Sequence, residues 1–326
     1  MAAEELGKVF NTAASPVTEE ARNERMKRLM TSVAESSPTA FETLQNASLR
    51  GCKYKFTGDM DKTLGTYNRA DKTIYLNEKH SDAVLSTVLV HEARHAVQHN
   101  LHLSADRNTA TLLTMWRASE ADAMAFECAA AYEMQNDNPE AWFKFKNMHR
   151  GIAVAFSREM KASRDERNAL SEAFKAWYDD APYVAEYDKD ALQFLEDSRE
   201  KAGWSFLKDN VAGERVAFNL CRKGDDLYLR DVVFLSSERA MTIDADIARR
   251  CRGVADDALF LYGRQDRSLD RLFVRDENGT VHPMKTETRP ARPQDRLKEQ
   301  ERSINQEIGE ALPPWVRDLQ AKKNVR

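Results

Sequence analysis

The segment SDAVLSTVLVHEARHAVQ, residues 81–98, decides how the rest of the sequence is read. Its apolar residues Val84, Leu85, Val88, Leu89, Ala96 and Val97 recur at helical spacing, Ser81 stands where an N-cap belongs, and Asp82 falls in the first turn. The pattern predicts a helix from Ser81 to about Leu101. His91, Glu92 and His95 are set into it after an aliphatic run. Residues four apart on a helix share a face, so two imidazoles can converge on one ion while Glu92 stands beside them. This grouping implies a zinc ion held by His91 and His95, a third ligand from elsewhere, and an open position for water. Glu92 then occupies the place of a general base that takes a proton from water and passes it to a leaving nitrogen.

The third ligand has to come from outside the motif. His99 continues the series of one-turn steps, but it lies about 12 Å along the axis from His91, far beyond bonds of about 2.1 Å. The metzincin pattern H-E-x-x-H-x-x-G-x-x-H fails as well, because Gln98 and Leu101 fill its Gly and His places and His102 misses by one residue. A carboxylate on another helix remains. The next predicted helix, about Ala105 to Gln135, is apolar nearly all round, which marks it as buried. It carries Glu120, Asp122 and Glu127, and a buried carboxylate needs a partner to offset its desolvation. Glu120 and Glu127 lie about 20° apart on the helical wheel but roughly 10 Å apart along it, and Asp122 points elsewhere. Any of the three could instead pair with Arg94 or Arg117.

The motif, followed by Ser119-Glu120-Ala121-Asp122-Ala123-Met124-Ala125-Phe126, resembles the gluzincin metallopeptidases, in which a Glu on the following helix completes the zinc site. It is particularly similar to compact bacterial and phage zinc-peptidase-like domains with an E-x-x-A-x-x-F pattern, matched here by Glu120, Ala123 and Phe126. The resemblance spans about residues 51–135. It implies a zinc metallopeptidase acting on a protein or peptide, with Glu120 as third ligand. Met124 replaces the Asp or Asn that many gluzincins carry four residues after that Glu, which leaves Asp122 or Glu127 to support a ligand histidine. The family type also implies an extended edge strand that aligns the substrate, for which Leu64–Tyr67 and Thr73–Leu76 are candidates. Tyr132, His149, Tyr183 and Tyr187 are candidate donors to a developing oxyanion.

Working outward, residues 1–50 read as a polar, exposed helical lead-in. From Gly51 the texture turns strand-like, through Cys52–Phe56, Leu64–Tyr67 and Thr73–Asn77, and suggests a small antiparallel sheet just before the motif helix. More helix follows in Glu140–Ala162, Arg164–Tyr178 and Lys189–Lys201. Strand-like stretches return at Asp226–Leu235, Ala258–Tyr262 and Leu269–Val274. Asp276-Glu277-Asn278-Gly279 signals a hairpin with a type I′ turn. The expected fold is α+β and mainly helical: a zincin-like catalytic domain over 51–200, a C-terminal α+β accessory module over 201–285, and a charged, partly disordered tail over 286–326.

Composition narrows the setting. Charged residues make up 31% of 326 residues, with 12 Gly and 9 Pro, which fits a helix-rich globular protein. A net charge of -4 gives no basic footprint for nucleic acid. No run is apolar enough for a membrane span, and the first residues lack the apolar core of a secretory signal, so a cytoplasmic location is expected, with leaderless export as the other route. Cys52, Cys128, Cys221 and Cys251 form no CxxC pair and read as buried thiols. A second class of function fits the same residues: a metal-stabilised interaction or regulatory protein without turnover.

Overall fold

A computed structural model describes residues 18–61, 63–98 and 103–285. Helices α1 (Glu19–Ser36) and α2 (Pro38–Leu49) start from Thr18 and Ser37, whose hydroxyls accept the Ala21 and Ala40 amides. Such caps satisfy amides that have no partner inside the helix. Met26, Leu29 and Val33 of α1 are buried, so the lead-in contributes to the core rather than standing free in solvent. They share one cluster with Phe56, Ile74 and Leu76 of the sheet and with Leu85 and Leu89. Arg22 also pairs with Glu78 at 2.6 Å.

Strands β1 (Lys53–Thr57), β2 (Gly65–Asn68) and β3 (Thr73–Asn77) form a sheet in the order β1-β3-β2. β2 and β3 make the expected antiparallel pair, but β1 runs parallel to β3. The small sheet is therefore mixed rather than antiparallel throughout. Thr73–Leu76 is its centre, with Ile74 and Leu76 wholly buried. Of the two stretches considered as substrate guides, only the one containing β2 lies on an edge.

The motif helix α3 (Asp82–Val97) packs on this sheet and against α4 (Thr109–Glu133). Ser81 sits at its cap position but makes no side-chain capping bond. Helix α4 begins later than expected, at Asn108, whose side chain accepts the Thr111 amide. It is buried along nearly its whole length, and its alanines let neighbouring helices approach on every side.

Helices α5 (Pro139–Met148), α6 (Arg150–Ser163), α7 (Glu166–Trp177) and α8 (Ala181–Ala202) follow. After them come α9 (Gly213–Leu220) and the short strands β4 (Arg222–Lys223) and β5 (Asp226–Leu227). Their aromatic side chains, among them Phe156, Phe174, Trp177 and Tyr228, pack with Phe126 of α4. The first half of α4, through Leu112 and Leu113, joins a different cluster. This one draws on α10 (Glu238–Met241), β6 (Thr242–Asp244), α11 (Ala245–Tyr262) and β7 (Phe273–Arg275), with Met284 just past β8 (Val281–Pro283). The result is a mainly helical α+β fold with small sheets.

Several expected strands differ. Ala258–Tyr262 is the end of α11, closed by Gly263 at φ 63°, a conformation in which glycine commonly terminates a helix. Only Ala258 of the apolar run that suggested a strand is buried, since Phe260 is 39% and Leu261 46% exposed. Of Asp226–Leu235 only Asp226–Leu227 is strand, and Val232–Ser236 forms a 3-10 turn. Arg267–Arg271 is likewise 3-10, so the strand before the hairpin is confined to β7. The β7–β8 hairpin is where expected, but only Gly279 in its loop has positive φ, so the turn is not type I′. The Asp276 carboxylate holds the loop by accepting the Asn278 and Thr280 amides.

Cys128, Cys221 and Cys251 are buried thiols and Cys52 is half-buried, all unpaired. Among the described residues no helix is long and apolar enough to cross a membrane. His99, Leu101, His102 and the tail over 286–326 lie outside the described residues.

Candidate metal centre

The face of α3 away from Leu85 and Leu89 presents both motif histidines to α4. Their Nε2 atoms lie 3.1 Å apart, and Glu120 of α4 places Oε2 at 3.6 Å from His91 Nε2 and Oε1 at 3.4 Å from His95 Nε2. One donor atom from each residue falls within 4.8 Å of the others. A tetrahedral ion with bonds of 2.0–2.2 Å separates its ligand atoms by about 3.4 Å. The three observed spacings bracket that value.

The far side of each ring explains why the Nε2 lone pairs face inward. His91 Nδ1 meets Glu127 Oε2 at 3.1 Å, and His95 Nδ1 meets Gln98 Oε1 at 2.9 Å. The orientation of the Gln98 amide is set by its other bonds. Its Nε2 donates to the Ser119 carbonyl and to Asp122, so Oε1 must be the atom turned to His95 and to the Ser119 hydroxyl. Both Nδ1 atoms therefore donate, which leaves two bare Nε2 atoms and a carboxylate converging without a hydrogen to share. Such a donor set fits a cation. Where a proton takes the cation's place, burial alone would lower both imidazoles, but Glu120, joined by Glu127 at His91, overrides it and both rise, His91 strongly. Burial would raise the Glu120 carboxyl, yet His95 and His91 pull it below its ordinary range.

Glu92 is 8% exposed and points along β2. Burial pushes its carboxyl up, while the histidines and a hydrogen bond from the Tyr67 amide offset part of that rise. The close approach of β2 depends on Gly65. A Cβ there would lie 2.7 Å from Val88 Cγ1 and 3.2 Å from Glu92 Cγ, so any larger residue would push the strand off the helix.

A family model described as "Putative metallopeptidase family (DUF6782)" matches residues 3–229. The chain belongs to that family. The match extends on both sides of the 51–135 span in which the motifs lie, and no curated protein and no solved structure matches the chain. Within the metallopeptidase family, a metal, and hence a cluster of this kind, is implied.

Of the residues singled out in the sequence, His91, His95 and Glu120 come together, with Glu92 next to them. Glu127 touches the same histidine as Glu120, from its other nitrogen. The imidazole spans the distance that separates the two acids along α4. Asp122 turns away and takes both Arg94 Nε at 2.7 Å and Arg94 Nη2 at 3.0 Å. Arg117 instead pairs with Asp188 at 2.5 Å. Tyr183 and Tyr187 of α8 share a hydrogen bond at 3.0 Å and lie within electrostatic reach of Glu120. His149 is within reach of Glu127 and His91, whereas Tyr132 packs between Trp142 and Phe156. Gln98, Ser119 and the Tyr67 amide were not foreseen. Gln98 had a legible signal, since a residue three positions after His95 shares its face of the helix.

Proposed function

We propose that the chain is a zinc-dependent metallopeptidase of gluzincin type, with His91, His95 and Glu120 as metal ligands and Glu92 as the catalytic base. What carries this reading is the convergence of the His91 and His95 imidazoles and the Glu120 carboxylate beside a buried, upward-shifted Glu92. A zinc ion bound there supplies Lewis acidity, lowering the pKa of water and polarising a carbonyl.

The protein's own groups do the rest. Glu92 accepts a proton from the attacking water and delivers it to the amide nitrogen that leaves, a double use that favours a carboxyl raised towards neutral pH. The Tyr67 backbone favours the charged form of the Glu92 carboxyl. Glu127 and Gln98 keep both imidazoles in the tautomer that presents Nε2. Edge strand β2 offers backbone groups to an extended peptide, and the Tyr183 and Tyr187 hydroxyls serve as donors to the carbonyl oxygen. The substrate is a protein or peptide, and residues 201–285 serve as an accessory module.

The test compares wild type with Glu92→Gln by metal analysis and by mass-spectrometric detection of new peptide termini in a proteome-derived library. Both proteins are expected to hold one zinc, and only wild type should cleave. Equal cleavage by Glu92→Gln removes the mechanism. A zinc-loaded wild type that cleaves nothing leaves the alternative, a metal-stabilised interaction or regulatory protein.

A further inference from the structure

Ser37 and Thr39, at the start of α2, are wholly buried and meet two acids from other elements. Glu133 ends α4 and Glu166 opens α7. Thr39 Oγ1 lies 2.8 Å from Glu133 Oε1, 2.7 Å from Glu166 Oε1 and 2.9 Å from the Lys223 ammonium of β4. Lys223 also donates to Glu166 Oε1 itself. The second Glu133 oxygen accepts the Ser37 hydroxyl at 2.5 Å and the Thr39 amide at 3.0 Å.

The number of hydrogens decides how this group is charged. A threonine hydroxyl has one hydrogen to donate and two lone pairs that accept. Three polar atoms surround Thr39 Oγ1. Lys223 donates to one lone pair, and the hydroxyl hydrogen goes to one carboxylate. The other carboxyl oxygen stands at hydrogen-bond distance from the remaining lone pair, a contact that requires a hydrogen of its own. Glu166 has the Lys223 ammonium against it and is the charged partner. The hydroxyl therefore donates to Glu166, and the extra proton sits on Glu133 Oε1. Burial pushes the Glu133 carboxyl up and Glu166 adds to the rise, outweighing the Ser37 and Thr39 bonds that draw it down.

The other charged groups of the surrounding elements are committed elsewhere. Glu42 of α2 accepts the Gly224 amide, Asp82 of α3 pairs with Arg25, Arg167 of α7 with Asp226, and Asp165 with Arg230. Lys146 of α5 and Arg158 and Lys161 of α6 line a groove with Tyr132 and Gln135.

Lys223 links the proton to the middle of the molecule. The Arg222 carbonyl before it accepts Arg94 Nη2 at 2.8 Å, and the Gly224 amide after it donates to Glu42 at 3.1 Å. Without the Glu133 proton, one carboxylate oxygen faces a bare lone pair of Thr39, and two anions share one hydroxyl and one ammonium. Like charges so placed repel. We infer that Glu133, Thr39, Glu166 and Lys223 form a pH-sensitive clamp, closed by a proton on Glu133, that holds the β4–β5 hairpin on Arg94 and releases it as pH rises. A carboxyl whose folded value is raised contributes stability that is complete below its ordinary range and is lost as pH rises through the raised value.

The experiment compares hydrogen exchange over residues 222–228 in full-length wild type and Glu133→Gln, always at the same pH so that the intrinsic rate cancels. The Gln amide reproduces each hydrogen bond of the protonated carboxyl. The two proteins should be equally protected at mildly acid pH, and wild type should exchange faster by on the order of 2- to 10-fold as pH rises. Equal protection at every pH at which the protein stays folded, or faster exchange of wild type on the acid side, overturns the clamp. So does a Glu133→Gln chain that fails to fold. Carboxyl carbon-13 resonances give the second reading. The Glu signal missing from Glu133→Gln should titrate above the ordinary Glu range in wild type, and should move down in Glu166→Gln, where the like charge is gone and Lys223 remains. Titration at or below the ordinary range in wild type, or no movement in Glu166→Gln, also overturns it.

Discussion

Helix α4 carries Asp122 and Glu127, both buried, and Glu120, whose side chain is 14% exposed, and surrounds them in two different ways. Asp122 is wholly buried and receives hydrogen bonds from Arg94, from Gln98 and from the Tyr228 hydroxyl at 2.7 Å. Arg94 Nη2 is also within hydrogen-bond distance of the Leu220 and Arg222 carbonyls, and the guanidinium lies over the Phe126 ring. The Asp122 carboxylate and the Arg94 guanidinium thus answer each other inside the protein. Glu120, two residues earlier, faces two Nε2 atoms whose rings have already committed their hydrogens at the far nitrogen. The first group is closed and the second is open. A closed network of buried charges holds elements together, whereas an open one fits a cation from outside, and on that contrast rests the proposal that Asp122 is structural and Glu120 a ligand.

The largest expected effect comes from opening the closed group. Arg94→Met leaves Asp122 buried without its counter-charge and should cost about 3–5 kcal/mol in urea denaturation, by the same amount with or without a chelator. A cost that appears only in the metal-loaded protein would merge the two groups into one. Removing the metal tests the open group. Chelation should lower the stability of wild type by about 3–4 kcal/mol where free metal had exceeded Kd by 100- to 1,000-fold, read as a lower thermal midpoint, and should leave Glu120→Ala unmoved. A fall of equal size in Glu120→Ala would mean that the ion binds elsewhere.

Glu127 stands between the two cases, since it is a buried acid that completes a histidine rather than the ion. Glu127→Gln should weaken zinc affinity by about 10- to 100-fold in competition with a chromophoric chelator while leaving the fold intact. The smallest effect belongs to a pair that is closed but wet. Arg22 holds the Glu78 carboxyl below its ordinary value, so that pair stabilises above the usual carboxylate pKa and stops doing so as pH falls through the lowered one. Urea midpoints of wild type and Arg22→Met should differ slightly at neutral pH and converge as pH falls through the lowered Glu78 value. Widening towards acid pH would reverse the sign and refute the assignment.

What was legible in the sequence followed the range of the interaction. The β2–β3 pairing and the β7–β8 hairpin depend on neighbours a few residues away, and the sequence carries their turn signals. The parallel partner β1 does not, because β2 intervenes in the chain while the other edge of β3 takes β1 in space. Ala258–Tyr262 misled because an apolar run has no direction of its own. It belongs to a helix whose end emerges into solvent, and Gly263 was the better local sign.

The sequence alone determined the pairing of His91 with His95 and the place of Glu92, since helical geometry puts residues one turn apart on one face wherever the helix goes. It also determined that a buried helix with acids follows. Only the tertiary structure distinguished those acids. The crossing of α3 over α4, set by side-chain packing across distant segments, turns Glu120 and Glu127 to opposite nitrogens of His91 and hands Asp122 to Arg94. A helical wheel gives direction about one axis, and convergence at a point requires the relative placement of two.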